Sequence, residues 1–164
     1  MTNAPGAFAA ELENTLYMNL KDGRVVIQML PEIAPRHVDR IKELVRANFY
    51  DGLTFHRVID GFMAQTGDPK GDGTGGSGTK LPAEFSNTSF VRGTLGMARS
   101  QDPNSADSQF FIMFAPGDFL NGQYTVVGKV VSGMDNVDRI KRGDQNNNGS
   151  VTDPDRMIKV TVGK

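Results

Sequence analysis

No cysteine occurs among the 164 residues of this chain. That excludes disulfides, thiolate nucleophiles and Cys-ligated zinc, and it suits a reducing compartment. Tryptophan is also absent, and the two histidines, His37 and His56, are too few for a typical His-rich zinc site. No apolar run approaches the roughly 20 residues that span a bilayer. Residues 1–12 hold no basic side chain and only a short Ala-Phe-Ala-Ala piece, so they do not read as a signal peptide. The net charge of −1 gives no general attraction to nucleic acid or anionic membrane. A cytoplasmic protein with neither of those partners is expected, and the lack of a coiled-coil pattern suggests a monomer.

What the chain does have is glycine (19) and proline (8), which hold its hydrophobic content to 38%. That mix favours short elements joined by many turns. The length fits one domain, which buries roughly 70% of its unfolded surface. Residues 1–13 read as a flexible tail, since Pro5, Gly6 and small side chains offer little to pack; the domain proper is residues 14–164. Residues 15–20 and 24–30 read as a hairpin around Lys21-Asp22-Gly23. Pro35 then opens a helix running to about Asn48, with Val38, Ile41, Leu44 and Val45 as its apolar stripe. Further strands are expected over residues 54–59, 62–66, 93–99, 109–114, 125–131 and 157–162, with a second helix over 133–141. About eight strands, two helices and no βαβ rhythm predict a mainly β fold, a closed eight-stranded antiparallel barrel capped by two α-helices.

Three motifs invite other readings and fail on context. Gly73-Thr74-Gly75-Gly76-Ser77-Gly78 matches a dinucleotide fingerprint, but Leu81-Pro82 follows where a helix should open. Gly78-Thr79-Lys80 inverts the Lys-Ser/Thr order of a phosphate loop. A flexible surface loop is the better reading of residues 67–80. Asp144, Asn146, Asn148 and Gly149 match the front half of a calcium loop, with Asp155 at the twelfth position. Pro154 and the short Asp155 spoil its end, which favours a polar turn satisfied by its own side chains. His37 and His56 are expected to be structural or solvated. Ser108 has no evident base beside it, so a serine hydrolase has little support.

The most informative stretch is Phe55-His56-Arg57-Val58-Ile59-Asp60-Gly61-Phe62-Met63-Ala64-Gln65-Thr66-Gly67-Asp68. Two strand-like runs flank Asp60-Gly61, a strong turn signal. Alternation along a strand points Arg57 away from His56 and puts Met63 and Gln65 on one face. A cation and an amide beside an apolar patch can grip a peptide backbone and bury a side chain. No nucleophile is among them.

This stretch, with Gly93-Thr94-Leu95-Gly96-Met97-Ala98 and Ser108-Gln109-Phe110-Phe111-Ile112, resembles the cyclophilins. Members of that family are peptidyl-prolyl cis/trans isomerases built on an eight-stranded barrel with two capping helices. The similarity runs from about Asn14 to Val162, and the Gly-rich loop is similar to that of the short bacterial members. The resemblance implies that Arg57 is the essential catalytic arginine. It implies that Phe62, Met63, Phe111 and Leu120 wall a proline pocket, and that Gln65 and Gln109 contact the peptide. Ala98 would border a neighbouring subsite, and Arg99, where many members have Asn, would meet the peptide largely through its main chain.

Two positions depart from the pattern: Phe119 replaces a frequent Trp and Tyr124 a frequent His. Phe119 keeps an apolar rim without an indole N–H, which implies weakened binding of cyclosporin-type cyclic peptides. Tyr124 can still wall the proline. The implied reaction is rotation about X-Pro bonds in proline-containing polypeptides, assisting folding in a chaperone-like way. It needs no cofactor, metal or covalent intermediate. Two readings stay open beside it: a non-catalytic module that binds proline-containing peptides, and a calcium-responsive regulator using residues 144–155.

Overall fold

Leu16, Met18 and Leu20 alternate with polar or half-exposed neighbours in β1 (Thr15–Leu20), as do Val25, Ile27 and Met29 in β2 (Gly23–Met29). The antiparallel register sets Leu16 against Ile27 and Met18 against Val25, so both apolar rows face one core. The computed structural model describes residues 11–163. Six further strands complete the sheet: β3 (Arg57–Ile59), β4 (Met63–Thr66), β5 (Thr94–Met97), β6 (Phe110–Met113), β7 (Val126–Ser132) and β8 (Lys159–Val162). Their order is β3-β4-β6-β5-β7-β2-β1-β8, and every pairing is antiparallel. The mainly β architecture expected from the sequence is thus present, with one correction. The barrel is curled but not closed by a continuous ladder.

The edge strands β3 and β8 do not pair with each other. Irregular segments bridge the gap instead, through Thr54 with Arg156 and Arg57 with Ser150. Asp153 sits at φ 50° and Pro154 has no N–H to give. A regular strand therefore cannot run through this stretch. For the same reason β3 starts at Arg57 rather than Thr54: Phe55 N–H donates to Asp155 O, and Val151 N–H to His56 O.

Helix α1 (Pro35–Arg46) packs against β8 through Val38, Ile41, Leu44 and Val45. Its N-terminus lacks a capping side chain of its own; the Glu84 carboxylate, 47 residues away, accepts from His37 N–H at 2.9 Å. Such a cap contributes about 0.5–2 kcal/mol. His37 is buried, and its Nε2 lies 2.7 Å from Pro82 O, a structural tie. Helix α2 (Met134–Asp138) packs against β2 and is shorter than the expected 133–141, because Lys141 N–H leaves the helix for the Asp155 carboxylate.

Residues 1–10 of the expected tail lie outside the described residues; Glu11 and Glu13 meet Thr15 and Lys42. Among the described residues, two hydrophobic clusters fill the interior. The larger draws on all eight strands and both helices; the smaller gathers Met63, Phe90, Phe111, Met113, Leu120 and Val126 beneath one outer face of the sheet.

Candidate active site

The smaller cluster has an exposed side, and there the sheet carries a groove of about 730 Å³. Strands β3 and β4 bring Arg57, Met63 and Gln65 to it, since Arg57 pairs with Gln65 in register. Strand β6 supplies Phe111, opposite Gln65. Phe62 comes from the turn before β4, and Phe119 and Leu120 from a 3₁₀ turn at Asp118–Leu120. Ala98, Arg99 and Tyr124 close the far wall. Ten of the eleven residues singled out in the sequence meet here. Gln109 stands just behind, in a smaller adjoining pocket that shares Gln65, Ala98 and Arg99.

Aromatic contacts fix the apolar half. Phe111 stacks on buried Phe90 with ring centres 5.8 Å apart and meets Tyr124 edge-on at 6.0 Å. Phe62 and Phe119 form a tilted pair at 5.5 Å, with Phe119 71% exposed at the rim. The Arg99 guanidinium lies 4.4 Å over the Tyr124 ring and donates to Gln123 O at 2.7 Å. Its charge therefore braces this wall.

The polar half is a relay. Arg57 Nη1 donates to Gln65 Oε1 at 3.1 Å, and Gln65 Nε2 donates to Gln109 Oε1 at 2.8 Å. Gln109 Nε2 in turn donates to Gly73 O and Gly75 O at 3.0 and 2.8 Å. An amide has two N–H donors. Both of Gln109's hold the loop, whereas Gln65 keeps one for a ligand. Gln109 thus braces the loop from behind the groove. Arg57 is half-buried, and burial draws its pKa below the usual arginine value, opposed by nearby Tyr124.

The loop over residues 67–80 runs at the surface, as expected, and is pinned by two carboxylates. Asp68 accepts from the N–H groups of Lys70, Asp72 and Gly73. Asp107 accepts from Ser77 and Gly78. Pinned this way, residues 71–74 become one wall of the groove.

His56 also borders the groove, although alternation set it opposite Arg57; regular strand geometry begins only at the next residue. It is buried with neither ring nitrogen bonded to protein, and burial lowers its pKa. Ser108 is buried and donates to Gly67 O, a structural role. Sequence reasoning missed Asn148, whose carbonyl and side chain both accept from Arg57. The polar run 144–150 was visible, but nothing in it announced the partner. Among the described residues no three His, Cys, Asp or Glu side chains gather to hold a metal. Asp144 accepts from Asn146 N–H and Asp155 faces Lys21 at 3.1 Å, so the calcium-like positions are engaged separately.

Residues 15–162 match the family model for cyclophilin type peptidyl-prolyl cis-trans isomerases. The chain belongs to that family. A probable peptidyl-prolyl cis-trans isomerase of Brucella suis is 61% identical over 95% of this chain and 86% of its own length. Peptidyl-prolyl cis-trans isomerase B of Bacillus subtilis is 42% identical over 79% and 92%. A Cryptosporidium parvum cyclophilin crystallised in the presence of the dipeptide Ala-Pro superposes with a TM-score of 0.82 at 26% identity, covering 90% of this chain and 98% of that one. This cyclophilin is therefore a peptidyl-prolyl cis-trans isomerase, in a family that binds proline-containing peptides.

Proposed function

We propose that Arg57 supplies the charge that lowers the barrier to X-Pro rotation while the groove holds the proline ring. Resonance in the C–N bond sets that barrier at about 18–20 kcal/mol. The cis and trans X-Pro isomers differ by only about 0.5–1 kcal/mol. Both are therefore substrates, and only the twisted state between them needs stabilising.

At the twist, the amide nitrogen becomes pyramidal and regains its lone pair. A guanidinium hydrogen aimed at that lone pair binds the twisted state better than the planar one. The observation that carries this reading is the half-buried Arg57, fixed on Gln65 and Asn148 at the rim of an apolar pocket. Phe62, Met63, Phe111 and Leu120 seat the ring by burial alone. The free N–H of Gln65 is placed to hold a neighbouring peptide carbonyl. Ala98 and the main chain at Arg99 border the residues before proline, and Tyr124 walls the ring beside Phe111.

Exchange NMR on an X-Pro peptide tests the assignment. Arg57→Ala is expected to lower kcat by roughly a hundredfold or more, with peptide affinity little changed. A variant within fivefold of the parent rate would instead favour a pocket that works by binding alone.

A further inference from the structure

We propose that Asn148 is a positioning residue for Arg57, and that the 144–150 loop is built to present it. This rests on the reading of Arg57 as the charge that acts on the twisted amide.

A guanidinium has five N–H donors in a rigid fork. Arg57 Nε donates to the Asn148 main-chain carbonyl at 3.0 Å, and Nη2 to Asn148 Oδ1 at 3.1 Å. Gln65 takes a third from Nη1. One hydrogen remains on each terminal nitrogen for substrate. Two acceptors from a single residue lock the plane of the fork, which one acceptor leaves free to turn.

The loop is shaped around this grip. Asn148 adopts a left-handed conformation (φ 55°, ψ 30°), which Asn tolerates better than most side chains. Gly149 follows at φ 80°, and a Cβ there would lie 2.6 Å from Ile59 Cγ1 and 3.4 Å from Arg57 Cγ. The loop backbone therefore lies directly on the arginine stem. Main-chain bonds fasten it on both sides of that stem: Val58 N–H to Gly149 O at 2.8 Å, and Val151 N–H to His56 O at 3.2 Å. Asp144 Oδ1 closes the turn on Asn146 N–H. The acceptor is also neutral. A carboxylate in the same place would hold the fork equally well but offset the charge that the reaction uses.

The test is a double-mutant cycle read by exchange NMR on one X-Pro peptide, with kcat and KM measured separately. Glycine tolerates the left-handed φ, so Asn148→Gly removes Oδ1 while keeping the carbonyl. It is expected to lower kcat about tenfold with KM within twofold, and to broaden the Arg57 side-chain ¹⁵N signals. Added to Arg57→Ala it is expected to cost nothing further.

A kcat within twofold of the parent, or an additive loss in the double variant, would overturn the proposal. If Arg57→Ala alone keeps the parent rate, the arginine reading itself falls, and Asn148 with it; that result is distinct from the other two. Asn148→Asp guards against a misfolded glycine variant. It should keep the Arg57 signals sharp yet lower kcat, and parent-level kcat there would refute the need for a neutral acceptor.

Discussion

Gly96 in β5 offers a way to move the floor of the proline pocket without substituting any residue that meets substrate. A Cβ built there would sit 2.5 Å from Phe90 Cε2 and 2.6 Å from Phe111 Cζ. Ordinary carbon contacts begin near 3.5 Å, so Gly96→Ala demands that the rings retreat by about 1 Å. Both rings are buried, and Phe111 is wedged between Phe90 and Tyr124. Such overpacking costs about 1–3 kcal/mol, which for a domain of this size lowers Tm by roughly 2–4 °C per kcal/mol. A 1 Å displacement of a substrate-positioning group can cost up to about a hundredfold, so a tenfold fall in kcat/KM is the expected kinetic effect. Thermal unfolding and exchange NMR measure the two losses. Gly128→Ala is the control: its Cβ would meet Gln28 O at 2.9 Å, away from the groove. It should destabilise while sparing kcat/KM. If Gly96→Ala keeps parent kcat/KM, or if both variants lose activity alike, Phe111 is not held in place by this packing.

Two other outcomes are expected. Burial lowers the His56 pKa below 6.5, against the pull of Asp68. The unfolded chain therefore binds this proton more readily, and acidification from pH 6.5 down to the lowered value should destabilise the fold through His56. Urea unfolding between about pH 5 and pH 8 should show that slope flatten in His56→Gln; an unchanged slope would place the effect elsewhere. At the rim, Phe119→Trp restores an indole N–H, and we expect calorimetry to show roughly tenfold tighter binding of cyclosporin. Equal affinity would mean that the exposed ring contributes only surface.

The strands with one wet and one dry face were the legible ones. The alternation of Leu16, Met18 and Leu20 located β1 to the residue. Strand β3 was less legible because Phe55 and His56 look strand-like yet bond to the irregular partners Asp155 and Val151. The groove residues were legible through the order of their motifs, not through pattern: taken alone, Phe62 and Phe111 read simply as apolar core. Local sequence cannot show that both donors of Gln109 are engaged by Gly73 and Gly75, 36 and 34 residues away. The same distance problem hid Asn148, a polar residue in a polar turn, whose meaning depends on a partner far up the chain.

That separation matters for how the enzyme comes into being. Arg57 and the carbonyl that fixes its Nε are 91 residues apart, and among the described residues β8, the last strand, pairs with β1, the first. Long-range closures of this kind form slowly. A nascent chain that has emerged only as far as β7 already contains Arg57, Phe62, Met63, Gln65, Phe111, Leu120 and Tyr124. It lacks the segment that orients the guanidinium. Isomerase activity is therefore a late reporter of this protein's own synthesis: full turnover should appear only once the C-terminal segment has left the ribosome and docked.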